Sequence, residues 1–338
     1  MHVRGAKLLF VFAFLSFVVP IVYNRWISVC ASFMILVIFI FMLYAQSIMT
    51  VKIYHKALDI ACYMSIICFT YAIIQKIIMG ISYRSTGGLL NANYYGTIIE
   101  LVVIIAVYRM ITNPHHAKKY IPIIAINIIG LFLCDCQSAW IAMFVGVLFV
   151  LYFNGYKKQA LIFLIVASIL IIVGIMVPGV LPRWGKMPQT YDTRLGIWCV
   201  ALKGIKAHPI FGQGMLTYLF NYDIYGGYKT YHAHSLYLDP ILSHGIVGVA
   251  IIITYIITVA FKIKNNLVLK ECRYVKSIVI GAFIAICVHG FTDFSIQWIQ
   301  TGMLFAFLIS GAFLKNPLEA SASTNKLYKK RLDNTLQA

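Results

Sequence analysis

Three histidines, an aspartate and a proline lie between Lys229 and Gly248, in the stretch KTYHAHSLYLDPILSHGIVG. An unperturbed imidazole titrates near neutral pH, so a histidine here is suited to take a proton from a hydroxyl nucleophile. In an extended segment His232 and His234 would share one face, which is also how a metal-binding pair is arranged. Without a carboxylate or third ligand at suitable spacing, however, this pair favours acid–base chemistry over a zinc site.

The composition indicates where this chemistry takes place. The chain has 338 residues, of which 61% are hydrophobic and only 11% are charged. So much apolar surface cannot be buried in a water-soluble core, which predicts an integral membrane protein. The eight cysteines are scattered and are interpreted as small apolar core residues.

Apolar segments of spanning length follow one another along the chain. They are 7–23, 27–46, 57–79, 94–111, 120–134, 137–153, 159–178, 236–261, 275–291 and 295–314. Together they predict an all-α fold of about ten transmembrane helices, with residues 1–314 as a single polytopic membrane domain.

The basic residues predict the orientation. The chain has 28 Lys and Arg against 10 Asp and Glu, and most of the basic residues fall in alternate connections between the spans. By the positive-inside rule these connections and both termini are cytoplasmic, and residues 315–338 form a basic cytoplasmic tail. The formal charge of +18 is therefore interpreted as a sign of membrane topology, and no nucleic-acid partner is expected.

Most of the remaining basic residues lie in one long outer loop, at about 179–235, and a loop of this length is usually functional or partly structured. An amphipathic helix is predicted at about 193–207, with Asp192 or Thr193 as its N-cap and with an end at His208-Pro209. Its expected apolar stripe is Leu195, Trp198, Cys199, Leu202 and Ile205, with Trp198 as an interfacial anchor. Gly212 and Gly214 follow the helix and permit close backbone approach.

Two further segments are expected on the same face. Residues 82–96 carry Arg84, Asn91 and Asn93, and residues 289–298 carry His289 and Asp293. Polar groups at the mouth of a helical bundle, beside a charged loop, predict a binding or catalytic site there.

The order of these motifs resembles a known family. The motifs are Arg84 with GGLLNAN, then QSAW at 137–140, TRLGIW at 193–198, HPIFGQG at 208–214, HAHSLYLDPILSHGIVG at 232–248 and HGFTDF at 289–294. In this order and on one face they look like the O-antigen ligase and polysaccharide polymerase superfamily of bacterial membrane glycosyltransferases.

The resemblance implies a membrane glycosyltransferase (GT-C-like) architecture in the cytoplasmic membrane, with the active site on the outer face. It implies transfer of a glycan from an undecaprenyl diphosphate donor to an acceptor hydroxyl on a glycan or lipid core, with no metal and no cofactor. His234 would be the base, and Arg84 and Arg194 would bind the diphosphate, whose developing charge suits guanidinium groups. The supporting residues would be His232, Asn91, Asn93, Trp198, Gly212, Gly214, His289 and Asp293.

Several alternatives stay open. Family members commonly carry arginine after the serine that matches Ser138, but this chain has Ala139. A ligase and a polymerase would use the same chemistry on different acceptors. A lipid-linked oligosaccharide flippase or exporter should show more charges at mid-membrane than Glu100 alone, and a non-catalytic scaffold would not need His234. Glu100 itself should have a partner or line a polar cavity.

Overall fold

The computed structural model describes residues 5–177, 187–265 and 270–314, which form helices joined by turns and short loops. The α-helices of these ranges are α1 Ala6–Val22, α2 Trp26–Ile48, α3 Val51–Met79, α4 Ala92–Thr112, α5 Tyr120–Cys134, α6 Gln137–Phe153, α7 Lys157–Met176, α8 Met187–Ala207, α9 Tyr218–Ile224, α10 Leu238–Asn265, α11 Lys270–His289 and α12 Ile299–Ser310. The basic tail 315–338 and the loop residues 178–186, with Arg183 and Lys186, lie outside the described residues.

Each predicted apolar segment overlaps an α-helix, and the last one is divided into α12 and the short 3₁₀ turns before and after it. Six helices are long and apolar enough to cross a membrane, namely α2, α3, α4, α7, α10 and α5 with the 3₁₀ turn before it, whereas α1, α6, α11 and α12 are shorter. Large apolar side chains such as Phe14, Ile67 and Leu170 are more than half exposed, as expected for helices that face lipid. These features support a multi-pass membrane protein, and the number of ten spans stays a prediction.

Helix α4 is the centre of the bundle. It buries 15 of its 21 residues and packs against α3, α5, α6, α11 and α12. The side-chain oxygen of Asn91 caps its N-terminus by accepting the N–H of Asn93 at 2.8 Å. Because the beginning of α4 lies beside the end of α11, polar residues from distant parts of the sequence meet there.

Helix α8 begins at Met187, so the predicted start near residue 193 is wrong, whereas the predicted end is confirmed because the helix stops at Ala207. The Thr193 hydroxyl donates to the Gln189 carbonyl at 2.8 Å, which places Thr193 inside the helix rather than at its cap. A threonine can bond back to the preceding turn in this way and does not have to start a helix.

The predicted apolar stripe of α8 is also wrong in part. The buried face consists of Ile197, Val200 and Ala201, whereas Leu195 and Leu202 are exposed. Trp198 and Ile205 are partly buried against the same cluster, which contains Tyr218 and Leu242 of α9 and α10. Apolar residues occupy two sides of this helix, and periodicity alone could not tell which side contacts protein.

A kink divides α10 at Gly245, whose φ is 62°. The kink frees the next two backbone N–H groups from their helical acceptors. The N–H of Ile246 donates instead to the Pro209 carbonyl at 2.9 Å, and that of Val247 donates to the Ile210 carbonyl at 3.1 Å. The loop after α8 thereby satisfies two N–H groups that have lost their helical acceptors.

The two glycines of this loop complete the junction. Gly214 donates its N–H to the Ser243 carbonyl at 2.8 Å. A Cβ at Gly212 would lie 2.5 Å from the Ser243 backbone, and one at Gly214 would lie 2.6 Å from the Pro20 side chain. Both glycines have positive φ, so their place in the motif follows from backbone packing between the outer loop, α10 and α1.

We expect Gly245→Ala to destabilise the protein by about 1–3 kcal/mol, because the new methyl group meets the Ile210 backbone at an unfavourable positive φ. Thermal unfolding in detergent, followed by tryptophan fluorescence, measures the effect. Gly155→Ala is the matched control, since Gly155 also has positive φ but has open space around it. Equal losses of stability in both variants would contradict the proposed junction.

Candidate active site

The side chains of His234 and Asp293 meet where α11 ends and α10 begins. His234 Nδ1 lies 3.0 Å from Asp293 Oδ1. The carboxylate is 1% exposed, whereas the imidazole is 21% exposed. The imidazole is therefore the member of the pair that a substrate can reach.

Asp293 has further partners that stabilise its charge. Asn93 Nδ2 donates to Oδ2 at 2.7 Å, and the Phe294 N–H donates to Oδ1 at 2.8 Å. Burial by itself would raise the pKa of Asp293, but His234 and two neighbouring histidines hold it below its ordinary value. At neutral pH this carboxylate is an anion that accepts hydrogen bonds.

His232 is the buried neighbour of this pair. Its ring centroid lies 4.3 Å from that of His234, and its Nε2 lies 3.7 Å from Asp293 Oδ1. Its Nδ1 accepts the backbone N–H of His234 at 3.2 Å. Burial, with a contribution from His234, lowers the pKa of His232 to about 3, so His232 is neutral at physiological pH and helps to hold His234 in place.

The backbone around His234 is held in an uncommon conformation. His234 has a backbone φ of 46°, a value that residues other than glycine rarely adopt. The Asp239 carboxylate accepts the Ala233 N–H at 2.6 Å and fixes this segment from the first turn of α10. Thr230 Oγ1 lies 3.1 Å from His234 Nε2, so a hydroxyl group already sits at the outer nitrogen of the ring. Constrained backbones of this kind concentrate at functional sites.

Arg84 joins the same network through Asn93. One terminal nitrogen of its guanidinium donates to Asn93 Oδ1 at 2.7 Å and to the Asp135 carbonyl at 3.2 Å. Its Nε donates to the Cys134 carbonyl at 3.2 Å. Arg84 therefore ties the loop between α3 and α4 to the end of α5, and a continuous chain of contacts runs from Arg84 through Asn93 and Asp293 to His234.

The other predicted site residues have different surroundings. Arg194 is half-buried in the middle of α8, and Trp198 packs against the core between α8, α9 and α10. Asn91 acts as the α4 cap, while Gly212 and Gly214 form the junction described above. Direct contacts thus unite Arg84, Asn93, His232, His234 and Asp293.

A second polar cluster contains the partner that Glu100 needs. Glu100 Oε2 lies 2.7 Å from His289 Nδ1, and both side chains are at most 1% exposed. His289 Nε2 lies 3.3 Å from Ser138 Oγ. The His289 carbonyl also accepts the N–H groups of Thr292 and Asp293, so this pair fixes the turn that carries Asp293. Glu100 and His289 are 189 residues apart, and no local pattern pairs them.

The structure changes the argument about a metal. The ligand atoms of His232, His234 and Asp293 all lie within 4.8 Å of one another and could hold a metal ion. The carboxylate that the sequence argument found missing is supplied by Asp293, 59 residues from His234. Two histidines and one carboxylate are a common ligand set for catalytic zinc, so metal independence stays a prediction.

Comparison with known families finds a match over part of the chain. Residues 122–253 match a family described as O-antigen ligase. The chain is similar to O-antigen ligases over this part of its length. This match confirms the resemblance and supports the O-antigen ligase superfamily; no curated protein matches the chain.

The matched part of the O-antigen ligase-like chain extends from α5 into α10. It contains Arg194, His232 and His234. Arg84, Asn93 and Asp293 lie outside it, and their place in the site rests on the contacts in the structure.

We expect Glu100→Ala to reduce stability by about 3–5 kcal/mol, because it leaves His289 buried without its partner. Glu100→Gln is the matched control, since its amide oxygen still accepts a hydrogen bond from His289, and it should lose clearly less. Thermal unfolding in detergent measures both variants. A Glu100→Ala variant as stable as the wild type would show that the pair does not hold the helices together.

Proposed function

We propose that this protein is a membrane glycosyltransferase of the O-antigen ligase type, which transfers a glycan from undecaprenyl diphosphate to an acceptor hydroxyl in cell-surface polysaccharide synthesis. The observation that carries the proposal is the partly exposed His234, which lies in the part of the chain that matches the O-antigen ligase family and is oriented by the buried Asp293. A histidine held by a buried carboxylate is an arrangement that enzymes use for general bases.

The orientation of His234 assigns a role to each ring nitrogen. If Nδ1 carries the proton and donates to Asp293, Nε2 is the ring nitrogen that can accept a proton. The Thr230 hydroxyl at 3.1 Å occupies the position that an acceptor hydroxyl would take. In the proposed step Nε2 takes the acceptor proton while the acceptor oxygen attacks the anomeric carbon. The bond from that carbon to the diphosphate breaks, and the diphosphate leaves with the electron pair.

The leaving group needs positive charge near it. Guanidinium groups supply this charge together with hydrogen bonds to phosphate oxygens, and they stay protonated at all relevant pH values. Arg194 lies within the matched domain, and Arg84 is held rigidly next to the Asp293 network. We assign the diphosphate to these two arginines, on the outer face that the charge pattern predicts.

A transporter of lipid-linked glycans is the rival function. Transporters place ionisable groups at mid-membrane, where these groups bind substrate or coupling ions. Glu100 instead forms a fixed pair with His289, which favours a structural role for this charge. The enzyme is therefore the better supported of the two functions.

Transfer by a purified protein tests the proposal. We expect His234→Ala to lower the rate of glycan transfer from a purified lipid-linked donor by about 10²- to 10⁴-fold, because the general base is lost. His208→Ala is the matched control: His208 is another loop histidine and contacts the Tyr23 ring. The control should keep the wild-type rate. Unchanged transfer by a folded His234→Ala variant would refute the mechanism.

A chelator tests whether the same cluster needs a metal. We expect transfer to continue in EDTA, because a metal on His234 would occupy the nitrogen that serves as the base or orients it. Loss of transfer in EDTA, with recovery on addition of zinc, would replace the general-base role by a metal-bound one.

The product distinguishes a ligase from a polymerase. One defined lipid-linked donor is offered either with a second lipid-linked repeat or with a lipid-core acceptor. Our expectation is a lipid-core product, because the single dominant outer loop resembles the ligase layout. Longer lipid-linked chains as the only product would identify a polymerase with the same chemistry.

A further inference from the structure

Four aromatic rings lie together beside the His234–Asp293 pair. The Trp298 ring centroid lies 5.3 Å from that of Tyr94, 6.4 Å from that of Tyr231 and 6.4 Å from that of His232. The interplanar angles are 34° for Tyr94 and 88° for Tyr231, so the rings form the walls of a corner rather than a parallel stack. The His232 ring in turn lies 4.3 Å from the His234 ring, which makes the aromatic group and the proposed base direct neighbours.

The backbone elements that build the site also position these rings. Tyr94 follows Asn93 at the start of α4, and Tyr231 precedes His232. Trp298 directly precedes α12 and follows Asp293 by one short 3₁₀ turn. Each aromatic ring is therefore fixed by the same segment that fixes a member of the polar network.

The aromatic corner is open on one side. Tyr231 is 59% exposed and Trp298 is partly exposed, whereas Tyr94 is buried and packs against Trp298. The accessible ring surface of the corner therefore belongs to Tyr231 and Trp298.

A ligand at this corner meets apolar ring faces directly beside a polar group, the partly exposed imidazole of His234. A pyranose ring suits these surroundings, because its C–H faces stack on aromatic rings while its hydroxyl groups accept and donate hydrogen bonds. A lipid chain would cover the rings but make no use of the neighbouring imidazole.

We propose that Tyr231 and Trp298, with the buried Tyr94 packed against Trp298, form a sugar-binding subsite that holds one pyranose ring of the substrate against His234. The inference rests on the proposed function and adds a recognition element to it. This pyranose ring belongs to the donor if it is part of the transferred glycan. It belongs to the acceptor if it carries the hydroxyl that His234 deprotonates.

Binding to two matched lipids tests the donor arm. The ligands are undecaprenyl diphosphate and undecaprenyl diphosphate that carries one N-acetylglucosamine. They differ in the sugar and in the charge of the terminal phosphate that bears it, and the aromatic variants report the contribution of the sugar. Affinities are measured in detergent with the His234→Ala variant, because binding can be measured without turnover of the ligand. We expect the sugar to improve binding by about 5- to 10-fold, as one well-stacked ring contributes about 1 kcal/mol. Tyr231→Ala and Trp298→Leu should abolish this preference and leave the affinity for undecaprenyl diphosphate unchanged.

Tyr237→Ala is the matched control. Tyr237 is another loop tyrosine, 43% exposed, that packs against the Phe291 ring outside the corner. Because Tyr231 is well exposed, the Tyr231→Ala variant should fold normally. It therefore still tests the subsite if the Trp298→Leu variant is unstable. The preference for the sugar should survive in Tyr237→Ala.

Soluble tetrasaccharides of glucose and of N-acetylglucosamine test the acceptor arm. Binding of either one that is lost in Tyr231→Ala, with the lipid preference intact, would assign the ring to the acceptor. Two results would refute the subsite. In the first, protein with the aromatic residues intact shows no preference for the sugar-bearing lipid and binds no tetrasaccharide. In the second, the Tyr231 and Trp298 variants keep both the lipid preference and tetrasaccharide binding. The proposed function is tested separately by glycan transfer, and it is refuted if the His234→Ala variant retains the wild-type transfer rate.

Discussion

The buried carboxylate of Asp293 is the constraint on which the site depends. A charge at 1% exposure is unfavourable unless several groups compensate for the lost water. Here the compensation comes from His234, Asn93 and the Phe294 N–H, which belong to three different parts of the chain. Satisfying one carboxylate therefore fixes the beginning of α4, the segment before α10 and the turn after α11 relative to one another.

The pair formed by Glu100 and His289 supports this arrangement from within the bundle. It joins α4 to α11, and the His289 carbonyl accepts the N–H of the Asp293 backbone. An ionisable pair among apolar helices contributes little net stability but makes wrong arrangements costly, because each would leave a buried group unpaired. The position of Asp293 is thus tied to the packing of the central helix.

The loop after α8 shows that not every motif residue has to contact substrate. Gly212 and Gly214 meet the backbone of α10 and the side chain of Pro20 where any side chain would collide. The carbonyls of Pro209 and Ile210, just before these glycines, accept the N–H groups that the kink at Gly245 releases. The motif spacing reflects a backbone junction that holds α8 against α10, so neither glycine has to contact substrate to explain its place in the motif.

The sequence by itself determined the helical membrane character, the approximate helix bounds and the similarity to O-antigen ligases, and it singled out His234 and Asp293 as candidate site residues. These features follow from local composition, from 3.6-residue periodicity and from short motifs, which the chain carries in contiguous stretches. The sequence missed the start of α8 at Met187 and the buried face of that helix, because a threonine suits both a cap and a helix interior and because apolar residues lie on two of its sides.

Only the tertiary structure decided which distant residues meet. It paired Glu100 with His289, gave His234 its carboxylate and placed Trp298 beside His232. Such contacts depend on how helices pack, and packing is set by the fit of whole surfaces and by the need to pair every buried charge. No single stretch of sequence contains that information.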